Sequence, residues 1–162
     1  MQEFLESSAF NQIIELKGHA RSVAIEGFVN GPNKNDDKIS ILIFALSDGD
    51  YGFCTYETCV ESAAAYLYDL REFLNNVQRE ELLKVLLNDL DVSFSNTDDN
   101  LDRIKLLGTF KAEAKSALQN LKKALDDFGD DSEYLSEDWY KDSFERKCRS
   151  TLINAIHQIE NE

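Results

Sequence analysis

The strongest constraint on the fold is an apolar run at residues 39–46, in which Ser40 is the only polar side chain. Read as a β-strand, the run is hydrophobic on both faces, because alternate residues point to opposite sides. Strands of this kind lie at the centre of a sheet that is covered on both sides. The run is too short to span a membrane as a helix, which takes about 20 apolar residues. We therefore predict a buried central strand over residues 38–46.

The segments around this run favour further strands. Residues 12–16 are predicted to form an edge strand, and residues 21–30 alternate in a way that is typical of a second strand. Residues 30–37 are rich in turn-forming side chains and predict a loop. Residues 51–56 are predicted as the last strand. Residues 11–57 would then form a small antiparallel β-meander of three or four strands.

From Thr58 onward the spacing of apolar residues changes from two to about 3.6, which indicates helices. A first helix is predicted to end at a break near Asn75, and a second to cover about residues 79–90. A third, long helix is predicted over residues 101–128, where the interior Gly108 allows a kink or an interruption because glycine is a poor helix former.

Two features predict how the chain continues to its end. Gly129 occupies the position at which a glycine commonly ends a helix. The last helix is predicted to begin near Ser136 and to return antiparallel to the long helix, because the connection is short. The complete prediction is a single α+β domain over residues 1–162. Its sheet part covers about residues 11–57, and about four α-helices over residues 58–160 end in a long antiparallel pair.

The charge of the chain limits its partners. The 162 residues include 31 Asp and Glu against 17 Lys and Arg, a formal net charge of −14 at pH 7, and the sequence pI is about 4.5. Such a field repels nucleic acid and anionic membranes and attracts basic surfaces. The alternative explanation is that the charge only keeps the protein soluble. Direct binding to nucleic acid or to a membrane is therefore not predicted.

The acidic side chains are densest just before the last helix, where Lys141 is the only opposing charge within residues 126–142. One interpretation is a surface that imitates a row of phosphates and docks on a basic groove, with aromatic side chains as anchors. The alternative is a solvated loop whose acids cap the last helix. The predicted partner-binding residues are Asp126, Asp127, Asp130, Asp131, Glu133, Glu137, Asp138, Trp139, Tyr140 and Asp142.

Signals for catalysis and for cofactors are weak. The cysteines are Cys54, Cys59 and Cys148, and with no secretory signal at the N-terminus they predict free thiols in a cytoplasmic protein. The spacings of EF-hand and zinc sites are missing, as are P-loop, dinucleotide-binding and hydrolase motifs, so neither a metal nor a cofactor is predicted. Cys59 at a helix start, or a pair of carboxylates, leaves a small enzyme as an alternative.

In size, in charge and in its missing catalytic motifs, the chain is similar to small acidic cytoplasmic inhibitors, such as toxin-immunity proteins and phage counter-defence proteins. The analogy implies a non-catalytic protein that neutralises a basic, nucleic-acid-handling partner such as a nuclease. A second hypothesis is an intracellular structural or assembly protein that forms homo-oligomers through its long helices. The small enzyme is the third.

Overall fold

The computed structural model describes residues 2–47, 59–88 and 90–161, with the side chains of residues 2–8 and 59–62 left aside. Every regular element in these residues is helical, and they contain no strand. The predicted α+β fold with a β-meander over residues 11–57 is therefore wrong, and the described part of the chain is all-helical. Contacts divide the chain into two compact units, Met1–Val85 (unit 1) and Leu86–Glu162 (unit 2).

The described residues of unit 1 form four α-helices and most of a fifth, with a short 3₁₀ turn at Arg71–Phe73 before the fifth. This turn occupies the predicted break near Asn75, and the predicted helix over about residues 79–90 begins and ends three residues earlier. The α-helices are α1 (Gln2–Glu15), α2 (Gly18–Asn30), α3 (Asn35–Ser47), α4 (Cys59–Asp69) and α5 (Asn76–Leu87), the last of which continues into unit 2.

The apolar run at residues 39–46 lies in α3 rather than in a strand. Six of its eight residues are buried, Phe44 is half-buried and Ser40 is exposed. A helix that is buried almost all round lacks the polar face that would reveal a 3.6-residue period. The prediction of a buried element was therefore correct, and the prediction of a strand was wrong for this reason.

The neighbouring strand predictions are also wrong. Residues 12–15 belong to α1, and residues 21–30 lie within α2. In α2 the buried side chains Arg21, Ile25 and Val29 are four residues apart and share one helical face. The loop predicted over residues 30–37 is shorter, because α3 begins at Asn35 with two acidic residues in its first turn, where negative charge favours a helix. The strand predicted at residues 51–56 falls outside the described residues.

Arg21 holds the corner between α1 and α2. Its buried guanidinium donates hydrogen bonds to the carbonyl oxygens of Ile14, at 2.6 Å, and of Leu16. The guanidinium carbon also lies 5.5 Å from the ring centroid of Phe44 in α3. The last carbonyls of a helix have no partner within the helix, so this side chain satisfies groups that would otherwise be left unpaired.

The described residues of unit 2 form four α-helices, of which only the last is long, and three 3₁₀ segments that all precede the second of these helices. The single long helix predicted over residues 101–128 is interrupted by a 3₁₀ segment, Lys111–Ala117, in which Ala114 leaves helical geometry. The predicted last helix is also split, since a four-residue helix precedes the main one. The α-helices are α6 (Leu101–Thr109), α7 (Leu118–Asp127), α8 (Asp138–Lys141) and α9 (Phe144–Glu160), and the other 3₁₀ turns are Phe94–Asn96 and Asp98–Asn100.

The core of unit 2 forms where α9 packs against α6, α7 and the 3₁₀ segment between them. A Cβ atom at Gly108 of α6 would lie 3.2 Å from the Cα atom of Ala155 and closer still to the Gln158 side chain. Gly108 therefore permits the close approach of α6 and α9, and the interruption of the predicted long helix follows directly after it. Among the described helices, none has the length and apolar character needed to cross a bilayer.

Candidate functional site

The predicted partner-binding residues lie in unit 2, at the end of α7, on the connection that follows it, and on and just after α8. Residues 126–142, called the acidic segment here, contain eight carboxylates and Lys141, a net charge of −7. The remaining residues of unit 2 hold nine acidic and nine basic side chains. The whole excess charge of unit 2 is thus concentrated in 17 consecutive residues.

Most of the acidic segment is open to solvent. Seven of its eight carboxylate side chains are exposed, and Asp131 is half-buried. Within the described part of the chain, five of the exposed carboxylates form no ion pair: Asp126, Asp130, Glu133, Glu137 and Asp142. The other exposed acids have local partners: the Asp138 carboxylate lies 3.1 Å from Lys141 Nζ, and that of Asp127 lies 4.0 Å from Lys123 Nζ.

Asp130 shapes the first turn of the acidic segment. Its carboxylate accepts hydrogen bonds from the Ser132 backbone N–H at 2.9 Å and from the Ser132 hydroxyl at 3.0 Å. These two bonds lower the pKa of the Asp130 carboxyl below its ordinary value, and the bond from the backbone N–H has the larger effect. Asp130 therefore stays charged and also fixes the local backbone.

Tyr140 was predicted to contact a partner, but it lies in the protein's own core. Its side chain is fully buried, and its hydroxyl donates a hydrogen bond of 2.7 Å to Asp131 Oδ2. Burial, assisted by this bond, raises the pKa of Tyr140 to about 12. The structure therefore brings Asp131 and Tyr140 together as an internal hydrogen-bonded pair, which attaches the acidic segment to the core of unit 2.

Arg149 of α9 fixes the beginning of the same segment. Its buried guanidinium donates hydrogen bonds to the carbonyl oxygens of Phe128, at 2.6 Å, and Gly129, at 2.7 Å. It also pairs with Glu145 at 2.9 Å, and its Nε lies 3.8 Å from Asp131 Oδ2. Gly129 has the positive φ of +72° that ends a helix, which confirms its predicted position.

Aromatic rings stand beside the carboxylates. The ring centroid of Trp139 lies 5.7 Å from that of Tyr134 and also 5.7 Å from that of Tyr140, so the exposed rings are joined to the buried one. Trp139 is 62% exposed and Tyr134 is 43% exposed. Of the two aromatic residues that were predicted to bind a partner, Trp139 is accessible and Tyr140 is not.

Sequence reasoning missed a basic groove that borders the acidic segment. The groove has a volume of about 400 Å³ and contains three cationic side chains. Phe144, the first residue of α9, also lines the groove and is 76% exposed, although its spacing fits the apolar stripe of the helix. The lining residues are Lys141, Asp142, Ser143, Phe144, Arg146, Lys147 and Ser150.

The groups considered for metal binding and for catalysis give little further information. Cys148 is buried, and burial raises the pKa of its thiol above the ordinary value. The side chains of Cys54 and Cys59 fall outside the described residues. Within the described ranges, no group of three His, Cys, Asp or Glu side chains converges in a way that could hold a metal ion.

Comparisons of the chain with protein-family models, with curated proteins and with solved structures gave no significant match.

Proposed function

We propose that the protein is a non-catalytic, cytoplasmic binding protein that blocks a basic partner, such as a nuclease or another nucleic-acid-binding protein. The observation that carries the proposal is the confinement of unit 2's charge excess to the acidic segment, where seven of eight carboxylates are exposed. Charge that served solubility alone would have no reason to be concentrated. A dense row of carboxylates attracts cationic surfaces and competes with phosphates for them.

The exposed aromatic rings of the acidic segment provide apolar surface that a partner can bury, which the carboxylates do not. Trp139 is the single tryptophan of the chain, and it stands 62% exposed among carboxylates. Tryptophan and tyrosine are enriched among the residues that contribute most to binding energy at protein interfaces. We expect Trp139, with Tyr134 beside it, to enter an apolar pocket on the partner while the carboxylates steer the approach.

The internal bonds of the segment favour binding because they order it in advance. Arg149 holds its first carbonyls, and the Tyr140–Asp131 hydrogen bond holds its middle. A surface that is ordered before it meets its partner loses less conformational entropy on binding. The segment is thus better suited to act as a rigid imitation of phosphates than a solvated loop would be.

The test begins with the protein immobilised and exposed to a lysate of its native host, or of the host's competitor or prey. A basic protein retained at low salt and released at high salt is then purified, and its association rate is measured. The acidic variant is Asp126→Asn, Glu133→Gln and Glu137→Gln together, because these carboxylates form no ion pair in the described chain. Asp131 is left intact because it accepts the Tyr140 hydrogen bond.

The matched control is Glu26→Gln, Glu72→Gln and Glu80→Gln, three exposed carboxylates of unit 1. It changes the net charge by the same amount outside the acidic segment. We expect association to slow about tenfold at low salt for the acidic variant and much less for the control, with both effects fading at high salt. Equal rates for the two variants would contradict the proposal. Recovery of only the protein itself, with a concentration-dependent mass, would favour the self-assembling alternative.

A further inference from the structure

The acidic segment ends where the sign of the charge reverses. Lys141 is part of the acidic segment, where its Nζ lies 3.1 Å from Asp138 Oδ1. The same side chain also lines the basic groove. Beyond it, Arg146 and Lys147 extend the groove along the first turns of α9. Negative and positive surfaces are therefore adjacent within one short stretch, although the chain as a whole is strongly acidic.

Two of the three groove cations, Arg146 and Lys147, take part in no ion pair within the described chain. Arg149, on the same helix, is buried and pairs with Glu145 and with backbone carbonyls. Arg146 is half-buried and Lys147 is exposed. Asp142 is the one carboxylate among the groove residues, and it forms no described ion pair either.

A uniformly basic partner would be repelled by this groove, because like charges that face each other across an interface weaken binding. A surface that only imitated phosphates would bind better without Arg146 and Lys147. Phe144 stands 76% exposed in the same groove, and aromatic residues and arginine are enriched at protein interfaces.

We infer that the partner carries two signs of charge: a basic surface that meets the acidic segment, and beside it a carboxylate that binds Arg146 and Lys147. This inference rests on the proposed function and deepens it. A surface with two signs fixes the orientation of docking, and it rejects cationic proteins that lack the carboxylate.

Two synthetic peptides of equal length test this inference without a known partner. One carries a block of lysines followed by a block of glutamates, and in the other glutamines replace the glutamates. Binding is followed by the fluorescence of Trp139, the single tryptophan of the chain, which lies within the acidic segment. Dissociation constants are measured at low salt for the wild type, for Arg146→Gln with Lys147→Gln, and for the acidic variant defined above.

The matched control is Lys105→Gln with Lys111→Gln, which removes the same charge from exposed side chains of unit 2 outside both the groove and the acidic segment. We expect the Arg146 and Lys147 substitutions to raise the dissociation constant of the glutamate-bearing peptide about fivefold more than that of the glutamine-bearing peptide. The control should change the ratio of the two dissociation constants by less than about twofold. An equal ratio in the two double variants would overturn the inference and leave the proposed function standing. Unchanged binding of both peptides to the acidic variant would instead contradict the proposed function.

Discussion

The centre of unit 1 and the acidic segment of unit 2 are held in place by opposite kinds of side chain. Unit 1 is centred on α3, an apolar helix that is buried on almost every side. The acidic segment of unit 2 is held by Arg149, a charged side chain that is buried among carbonyls and carboxylates. An apolar run reveals its burial in the sequence but conceals its conformation. A buried arginine reveals neither its burial nor its conformation in the sequence, because an arginine in a polar helix is expected to be exposed.

The largest expected effects come from α3, which is buried on almost every side over residues 39–46. Ile41 and Ile43 point about 160° apart on the helix, yet both are buried. We expect Ile41→Ala and Ile43→Ala each to lower the free energy of unfolding by about 2–4 kcal/mol in urea titrations. In α9, we expect Leu152→Ala to lower the free energy of unfolding by a similar amount, because Leu152 is fully buried. Ile153→Ala is the matched control, and it should lower this free energy by less than about 1 kcal/mol because Ile153 is 51% exposed. A small loss at either isoleucine would show that α3 has an open face.

The second prediction concerns the acidic segment of unit 2 and the buried Arg149 that holds it. We expect Arg149→Gln to lower the free energy of unfolding by about 3 kcal/mol, because the carbonyls of Phe128 and Gly129 would lose their donors. Arg146→Gln is the control on the same helix, and it should stay within about 0.5 kcal/mol of the wild type because its side chain forms no described ion pair. Urea titration of both variants gives the answer, and equal values would mean that Arg149 does not hold the acidic segment.

Tyr140 gives a smaller effect that depends on pH. The folded protein raises the pKa of Tyr140 to about 12, mainly by burial and then by the Asp131 hydrogen bond, so folding favours the protonated hydroxyl. The resulting stability is fully present below about pH 10, the ordinary tyrosine pKa, and is lost as the pH rises toward 12.

Unfolding measured from pH 9 to pH 12 should therefore show a loss of stability that Tyr140→Phe reduces. At neutral pH this variant should cost about 1 kcal/mol for the lost hydrogen bond. Tyr134→Phe is the control, and it should keep the alkaline loss because it leaves the Tyr140–Asp131 bond in place. Identical pH profiles for the two variants would contradict the assignment.

The helices could be predicted from sequence only where one face is polar. The break before α5 and the glycine that ends the helix at residue 127 were predicted, because stripes and turn residues mark them. An interruption of the long helix was allowed for at Gly108, but its extent over Lys111–Ala117 could not be predicted, because a 3₁₀ segment also puts residues three apart on the same side. Apolar spacing of three and four residues therefore continues through it. In α3 the polar face that distinguishes a helix from a strand is missing.

The site was predictable in its charge but not in its internal bonds. The exposed carboxylates and Trp139 could be assigned, because charged residues without apolar periodicity lie on the surface. The burial of Tyr140 and the role of Arg149 depend on a turn that brings α9 back to residues 128–131. Glu145 and Arg149 are four residues apart, which in sequence is typical of an exposed ion pair on a helix. This spacing concealed the one buried arginine of α9.

The contact at Gly108 also has an evolutionary consequence. A Cβ atom there would lie 3.2 Å from the Cα atom of Ala155, a backbone atom that is present whatever residue stands at 155. A lineage could enlarge residue 108 only if the backbone of α9 moved slightly away from α6 and the Gln158 side chain turned aside. Glycine at 108 should therefore be kept among descendants of this chain for as long as α6 and α9 keep their spacing, even where the acidic segment has changed.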